Sequence, residues 1–324
     1  MVDKSIYLLF TRISCFFIVD IKGGTVLKNV GIKILGEVVN LLFNNRLVFA
    51  VVRQLQLFDA VFVMYPANAK FADHFTFRVR QRLITWRPFI IGMAKHPSGK
   101  RTLMFAISAF VDGKDSGDSD GFRLLHDRVE TLRQRIGATT THFAGTLPGR
   151  FTALKVRRGV NQKNERVATQ ENVVGAVMQL RDLFCHKDTY PVIILGSQGY
   201  IGKEVVAQLV AKDVHVIGID KGVDAVEYVK PGVPHIVVNI TAPEAINQYI
   251  DSKYMDHNTI LLNEVYPAPH ADVVSHLHEL GVLVYHIAGV EAEAIPPFPG
   301  SYRGALPCCA AIPGEGYSVK IIEL

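Results

Sequence analysis

Cysteine is scarce in this sequence, and the positions of the few cysteines exclude several classes of protein. The 324 residues contain four cysteines. They form no C-x-x-C pair, so their spacing gives neither a disulfide framework nor a zinc knuckle. The histidines at 270, 276 and 278 are not spaced four apart and so do not share a helix face. No metal is expected, and a cytoplasmic location with reduced thiols is the expectation.

Long uncharged apolar runs and basic stripes are also missing. The apolar stretch Ile6–Ile21 contains Arg12 and Asp20, which makes it too short and too charged to span a membrane, and it has no A-x-A cleavage site. The net charge is +5, and the basic residues are not interleaved with aromatics as in a nucleic-acid-binding surface. The sequence therefore predicts no membrane span and no nucleic-acid partner. Its 49% hydrophobic content is typical of a packed globular protein.

The most informative stretch is PVIILGSQGYIGK, residues 191–203. Its four apolar residues predict a buried strand, and a G-x-x-G-x-x-G turn and a helical pattern follow. Glycines let a backbone approach a pyrophosphate, and a helix N-terminus presents free N–H groups to it. The turn is therefore predicted to bind a dinucleotide. Its candidate residues are Gly196, Ser197, Gln198, Gly199, Tyr200, Ile201 and Gly202.

A second predicted strand ends in an acid at the position that this interpretation requires. Residues 214–220, VHVIGID, end in Asp220, 24 residues after Gly196, where a dinucleotide fold places the carboxylate that binds the ribose hydroxyls. A carboxylate there repels a 2′-phosphate and favours NAD, although Lys221 would soften that repulsion. Further cofactor-binding candidates on the same rim of the sheet are Thr241, Ala242 and Glu264.

Strands and helices alternate through the second half of the chain, which predicts parallel strands with helices on both faces. The predicted fold is α/β, a parallel-sheet Rossmann domain that follows an α/β substrate domain. The predicted domains are 1–172 (substrate), 173–288 (dinucleotide) and 289–324 (a tail that packs back across the cleft). In the first domain, Leu47–Val52 is predicted as β, residues 88–109 as a hairpin, and Phe122–Ile136 as a helix.

The Pro/Gly-rich tail contains the adjacent pair Cys308 and Cys309. Such cysteines are usually small buried apolar residues. In a nicotinamide enzyme, however, a thiolate can attack a thioester, and hydride then reduces the acyl-enzyme to an aldehyde. Both readings stay open from the residues alone.

Several features along the chain resemble the cyanobacterial long-chain acyl-carrier-protein reductases and the related amino-acid-dehydrogenase-like reductases. They are Tyr65-Pro66, Ser98–Lys100, Gly137–Thr140, the Gly145–Gly149 loop, residues 168–172, the glycine turn and the late cysteines. The resemblance implies an acyl group carried by Cys308, with Cys309 as the alternative, and NADPH as the cofactor. It also implies substrate contacts by Tyr65, Thr146, Leu147, Thr169 and Asn172. Glu171 stands where that family has glycine.

Three functions remain. One is a noncovalent NAD(P)-dependent dehydrogenase or reductase of a small carbonyl, hydroxy or amino acid, with proton transfer by His286 or Lys155. Another is an aldehyde-forming acyl-thioester reductase, whose substrate arrives on an acyl carrier or coenzyme A. The third is a non-enzymatic NAD-binding sensor. A homodimer is the default assembly for such proteins.

Overall fold

The computed structural model describes residues 33–34, 37–38, 40, 46–66, 72–73, 85–156, 163–184, 190–220, 232–242, 245–246, 255–298 and 302–324. They divide into two compact units, each with its own sheet. The first unit contains Met1–Gln162 and Ala292–Pro299, and the second contains Lys163–Glu291 and Gly300–Leu324. The α/β class predicted from the sequence, with parallel strands, is confirmed.

The elements follow the chain in this order. Before residue 163 they are α1 (Arg46–Gln54), β1 (Ala60–Met64), β2 (Phe89–Lys95), β3 (Arg101–Ala106), α2 (Ser119–Ile136), β4 (Thr140–Phe143) and α3 (Leu147–Ala153). From residue 163 onward they are α4 (Lys163–Phe184), β5 (Val192–Leu195), α5 (Tyr200–Val210), β6 (Val216–Ile219), β7 (His235–Asn239), β8 (Thr259–Asn263), α6 (Ala271–Glu279), β9 (Leu283–Glu291), β10 (Glu293–Ile295), β11 (Ala305–Leu306), a 3₁₀ turn (Cys308–Ala310) and β12 (Val319–Glu323). The domain boundary predicted at residue 172 falls inside α4.

The sheet of the first unit has the strand order β10-β2-β3-β1-β4. The interior strand β1 runs parallel to both of its neighbours, β3 and β4, and all five of its residues are buried. Such a continuous apolar strand is typical of a sheet covered on both faces. Strands β2 and β3 pair antiparallel across a short turn, which confirms the predicted hairpin.

The prediction of a β structure at Leu47–Val52 is wrong, because these residues lie in α1. Phe49 and Val52 are buried in the core of the first unit, whereas Val51 is 48% exposed. Residues three apart share a face on a helix but not on a strand. A short apolar run does not by itself separate the two, and packing against α2 decides the outcome here.

The start of α2 is fixed by Asp118, which also holds the only tryptophan of the chain. One carboxylate oxygen accepts from the backbone N–H of Gly121 (2.8 Å), which makes Asp118 the N-cap. The other accepts from the indole Nε1 of buried Trp86 (2.6 Å). The indole packs on Phe122 with ring centroids 4.7 Å apart. One side chain therefore joins a helix cap to a buried aromatic pair.

The sheet of the second unit has the order β11-β9-β8-β7-β5-β6, and β12 also pairs with β9. Five neighbouring strands of this sheet are parallel, namely β6, β5, β7, β8 and β9. Alternate strand residues pack on opposite sides: one core includes side chains of α4 and α5, and the other includes those of α6. This arrangement matches the prediction of helices on both faces. No helix among the described residues is long and apolar enough to cross a membrane.

The register of these strands aligns one row of residues across the sheet. Ile219, Leu195, Asn239, Asn263 and His286 are successive partners in that row. The row lies at the carboxyl ends of β6, β5, β7 and β8, directly before the residues that follow each strand. In open α/β sheets this edge is where ligands bind.

The two hydrogen bonds of Asp118 give a stability prediction. Replacing Asp118 with Ala removes the cap and leaves the buried indole N–H without its acceptor, so we expect a loss of about 1–3 kcal/mol in the free energy of unfolding. Denaturant titration followed by tryptophan fluorescence measures the free energy of unfolding, because Trp86 is the only tryptophan in the sequence.

The matched control for this variant is Asp120→Ala in the first turn of the same helix. The Asp120 side chain is 95% exposed and pairs only with Arg123 at 3.5 Å in the described structure, so its removal should change the free energy by less than about 0.5 kcal/mol. Equal effects of the two substitutions would contradict the role of Asp118.

Candidate functional site

The glycine turn joins β5 to α5 at the carboxyl edge of the second sheet. Gly196 follows the strand with φ +90, which favours glycine, and a Cβ there would press on the side chain of Thr241. Gly202 lies in the first turn of α5, and a Cβ there would collide with the backbone carbonyl of Gly196. The turn is therefore closed by direct contact between its own backbone segments.

The N-terminus of α5 presents its amides without a capping side chain. Gly199 occupies the N-cap position in an extended conformation and offers no side-chain acceptor, and the first turn contains no acid. The first amides of a helix have no intrahelical acceptor, and the helix dipole favours an anion at this end. Tyr200 and Ile201 begin the helix, so the residues predicted to bind the cofactor lie where a diphosphate would be held.

Asp220 follows β6 and contacts the turn. One of its carboxylate oxygens accepts from the backbone N–H of Gln198 at 2.8 Å. The carboxylate is therefore fixed beside the turn, where the ribose hydroxyls of a dinucleotide could donate to it. Lys221 lies outside the described residues.

The side chain of Ser197 in the turn packs against Gly218 of β6. The Oγ of Ser197 is buried and has no hydrogen-bond partner within the part of the chain that the structure describes. Buried hydroxyls in proteins are normally satisfied. The uncapped amides, the closely packed glycines and the carboxylate of Asp220 make the residues present fit a dinucleotide.

A chain of hydrogen-bonded side chains begins in the aligned row beyond the turn, where Asn239, Asn263 and His286 are buried. Asn239 Nδ2 donates to Asn263 Oδ1 (3.0 Å) and to the carbonyl of Ala242 (3.0 Å). Asn263 Nδ2 donates to the carbonyl of Val265 (2.6 Å) and lies 3.1 Å from His286 Nδ1. His286 Nε2 lies 3.0 Å from the hydroxyl of Tyr302. We call Asn239, Asn263, His286 and Tyr302 the polar ladder.

Asn239 of the polar ladder also accepts hydrogen bonds from the backbone of two predicted cofactor-binding residues, Thr241 and Glu264. The backbone N–H of Thr241 donates weakly to Asn239 Oδ1 (3.3 Å), and the N–H of Glu264 donates to the Asn239 carbonyl (2.9 Å). His286 is fully buried, and this burial lowers its pKa to about 4. The hydrogen bond with the Asn263 backbone carbonyl raises the pKa, but by less than burial lowers it. At neutral pH its imidazole is therefore neutral.

The thiol of Cys308 lies in the core of the second unit. Burial raises its pKa well above the ordinary value, and the nearby Glu264 carboxylate and Cys309 raise it further. Burial also raises the pKa of Glu264, to about 7. Cys309 is half-buried. The structure thus holds Cys308 as a neutral thiol next to a carboxyl group that is itself partly protonated near neutral pH.

Two predicted substrate residues, Thr169 and Asn172, lie buried on α4 in the second unit. The Nδ2 of Asn172 has no hydrogen-bond partner among the described residues. On the same helix, Gln170 Nε2 donates to the carbonyl of Tyr200 (3.2 Å), and the guanidinium of Arg166 lies 4.2 Å from the Tyr200 ring centroid. Helix α4 therefore supports the start of α5.

The other predicted substrate residues lie in the first unit. Tyr65 follows β1, Thr146 precedes α3, and both hydroxyls donate to the Asp112 carboxylate at 2.6 Å. The backbone N–H of Thr146 donates to the Tyr65 hydroxyl (3.2 Å). Leu147 is fully buried in the core. The structure thus brings Tyr65 and Thr146 together, and it adds Asp112, which the sequence analysis did not single out. No group of described residues could hold a metal ion.

Comparison with known proteins supports the dinucleotide reading. Residues 192–266 match the model of the NAD dependent epimerase/dehydratase family. The matched segment begins at β5 and includes the glycine turn, Asp220, Thr241 and Glu264. It covers less than half of the chain. The match supports a nicotinamide dinucleotide as the ligand of this unit, which confirms the predicted Rossmann-type fold and leaves NAD and NADP undistinguished.

Similar solved structures share little sequence with this chain. L-Tryptophan dehydrogenase from Nostoc punctiforme is 12% identical, with a TM-score of 0.30, and the alignment covers 70% of this chain and 69% of that one. Rp1789 from Rhodopseudomonas palustris is 10% identical, with a TM-score of 0.31 and coverages of 71% and 67%. ATP-bound MatB from the same organism is 12% identical, with a TM-score of 0.26 and coverages of 73% and 51%. TM-scores this low carry no argument about function.

No curated protein matches the sequence significantly. The resemblance to the acyl-carrier-protein reductases is not among these findings and stays a prediction. The residues that sequence reasoning missed are Asp112, Asn239, Asn263 and Tyr302. A signal for two of them was present, because HIVVN and TILLN are both apolar strands that end in asparagine at the same edge.

The close packing of the turn gives a binding prediction. In Gly202→Ala the added methyl group meets the Gly196 carbonyl and must displace α5 from the turn, so we expect NADH affinity to fall at least ~10-fold, about 1.4 kcal/mol. Titration of NADH fluorescence measures it. Gly117→Ala is the control, since a Cβ there meets nothing within 4 Å. Unchanged affinity in Gly202→Ala would contradict the assignment of the turn.

Proposed function

We propose that this protein is an NAD(P)-dependent oxidoreductase that acts on a small carbonyl, hydroxy or amino acid without an acyl-enzyme. The observation that carries the proposal is the shared register row. The dinucleotide turn follows Leu195 in that row, and the neutral imidazole of His286 occupies the same row three strands away. A diphosphate site and a proton-transfer group thus lie on one edge of one sheet.

The chain's residues divide the work of such a reaction. The turn and the N-terminus of α5 would hold the diphosphate, and Asp220 would accept from the ribose hydroxyls. A bound nicotinamide supplies the hydride acceptor or donor. In this fold the second half of the dinucleotide lies beyond the switch point between β5 and β7, which is the side of Asn239, Asn263 and His286. Proton transfer is assigned to that side.

Asp220 supports NAD as the cofactor. A carboxylate held 2.8 Å from the Gln198 amide would face the ribose, where a 2′-phosphate would add a second negative charge at close range. We therefore propose NAD as the preferred cofactor.

The state of Cys308 supports the noncovalent reaction over the thioester alternative. A cysteine nucleophile reacts as the thiolate, and catalytic cysteines have pKa values lowered by a positive neighbour. Burial and Glu264 act in the opposite direction on Cys308. The buried thiol, in the same core as Val192 and Ile194, is a packing residue in this proposal.

A turnover assay tests the proposal. The purified chain is incubated with NAD⁺ or NADP⁺ and a panel of 2-hydroxy acids, 3-hydroxy acids, simple secondary alcohols and amino acids. With the reduced cofactors, the corresponding carbonyl compounds and acyl-thioesters replace this panel. We expect turnover with at least one non-thioester substrate and a preference of at least ~10-fold for NAD(H).

Cys308→Ala is the discriminating variant in this assay. We expect its kcat to remain within about threefold of the parent, since it removes only packing atoms. Loss of more than ~100-fold, together with turnover of thioesters alone, would contradict the proposal and favour the acyl-enzyme. Tight NADH binding without turnover of any substrate would instead favour the sensor function.

A further inference from the structure

We propose that Arg166 binds the diphosphate of the dinucleotide from the nicotinamide side, and that Tyr200 holds the guanidinium in place for this contact. The inference rests on the proposed function and adds two binding roles to it. The dinucleotide site itself is supported by the glycine turn, by Asp220 and by the family match. The basis of the inference is a positive charge that lies at the start of α5 without an acidic partner.

The guanidinium of Arg166 lies beside the first residue of α5. Its Cζ is 4.2 Å from the centroid of the Tyr200 ring, within the range of a cation–π interaction. One turn further along α4, Gln170 Nε2 donates to the Tyr200 backbone carbonyl (3.2 Å). Residues four apart share a helix face, so one face of α4 holds both the ring and the backbone of Tyr200. All three residues belong to the second unit.

The donors of the Arg166 side chain are not used by the part of the chain that the structure describes. Apart from the cation–π contact, the side chain makes no hydrogen bond or ion pair with the described residues. It is nevertheless half-buried. A guanidinium presents five N–H donors in a planar fork that matches the oxygens of a carboxylate or a phosphate. The side chain is therefore suited to an anionic ligand.

The helix dipoles at this point also favour an anion. A positive charge near a helix N-terminus is destabilised by the dipole, and α5 has neither a side-chain cap nor an acid in its first turn to offset this. Arg166 is also the fourth residue of α4, so the start of a second helix lies close to it. A bound diphosphate, with two negative charges, would stabilise both the guanidinium and the uncapped amides of α5.

The side from which Arg166 approaches the turn selects the diphosphate. Helix α4 packs on α5 and also on β9 and β12, and β9 lies beyond β7 and β8 in the sheet order. Asp220 follows β6, on the opposite side of β5. Asp220 is therefore placed toward the adenosine ribose, and Arg166 toward the nicotinamide half. The diphosphate joins these two halves, and it is the anionic part of the cofactor on the side of Arg166.

The binding of two ligands tests the proposal without a substrate. NADH affinity is measured by fluorescence titration and ADP-ribose affinity by calorimetry, since ADP-ribose keeps the diphosphate but lacks the nicotinamide. In Arg166→Met the apolar side chain can still pack on the Tyr200 ring. We expect both affinities to fall at least ~10-fold, and by the same factor within about twofold. Unchanged affinities, or a loss confined to NADH, would overturn the proposal.

Lys212→Gln is the matched control, because it removes one positive charge at the other end of α5. Lys212 lies about 18 Å along the helix axis from Tyr200, farther than the ~8 Å over which exposed charges interact at physiological salt. We expect its affinities to stay within about twofold of the parent. A loss equal to that in Arg166→Met would indicate a general effect of net charge and would overturn the proposal.

Arg166→Lys keeps a positive charge over the ring but lacks the planar fork. We expect it to bind both ligands at least ~3-fold more tightly than Arg166→Met and less tightly than the parent. This variant also separates charge from folding, because both substitutions shorten the same half-buried side chain. Equal affinities of Arg166→Lys and Arg166→Met would overturn the proposal.

A double-mutant cycle tests the positioning role of Tyr200. Tyr200→Leu removes the ring that holds the guanidinium, so we expect NADH affinity to fall ~3–10-fold in the parent but less than about twofold in the Arg166→Met background. A ring that acts only on the fold or directly on the ligand would give the same loss in both backgrounds. Additive losses would therefore overturn the positioning role.

The outcomes separate this inference from the proposed function. If the parent binds neither NADH nor ADP-ribose, the proposed function fails and the inference fails with it. If the parent binds NADH and turns over a substrate of the panel described above, but Arg166→Met binds NADH with the affinity of the parent, only the inference fails.

Discussion

The amides at the start of α5, which have no side-chain cap among the described residues, are the constraint on which the site depends. A helix that begins without a capping side chain leaves donors that need an anion or water, and Gly199 supplies no cap. The direct contact between Gly202 and Gly196 holds these amides at the carboxyl end of β5. Asp220 accepts a hydrogen bond from the Gln198 amide and lies on one side of the proposed dinucleotide site. The position of the diphosphate would then determine which strands of the sheet lie beneath the rest of the dinucleotide.

The polar ladder follows from the same register. Asn239, Asn263 and His286 lie in the row of Leu195, so side chains from three successive strands meet at one depth in the sheet. Each is buried and hydrogen-bonded, which is the condition for polar groups to be tolerated inside a core. Burial keeps the imidazole neutral, and a neutral imidazole can accept a hydrogen bond that an imidazolium could not.

Much of the second unit could be predicted from sequence, because strong periodic signals coincide there. The run Val192–Leu195, the glycine turn and Asp220 together predict a strand, a turn, a helix and a second strand that ends in an acid, in that order along the chain. Helix α4, in contrast, begins at Lys163, in a stretch of the sequence without apolar periodicity, so its start could not be predicted. The segment Leu47–Val52 was mistaken for β because its direction of burial depends on α2, a partner distant in sequence.

The site was less predictable, because its residues are distant in sequence and come together only when the strands pair in the folded protein. His286 was predicted to lie at a strand end, but it lies inside β9, and its partner Tyr302 lies in the tail, 16 residues later. Asp112 joins Tyr65 to Thr146 across more than 30 residues. Asparagine at the ends of two strands is a common pattern without chemical meaning until the pairing of β7 with β8 is known. The spacing of residues along the chain predicts a turn. Contacts between side chains on different strands can be identified only once the pairing of the strands is known.

Hydrogen–deuterium exchange of the backbone amides tests the central claim most directly, since it reports on the atoms that would hold the diphosphate. On saturation with NADH we expect exchange to slow in the peptide that contains Gly196–Gly202 and at Asp220, because amides bonded to a ligand exchange only when it leaves. Unchanged exchange in that peptide under saturating NADH, or protection confined to other segments, would contradict the account.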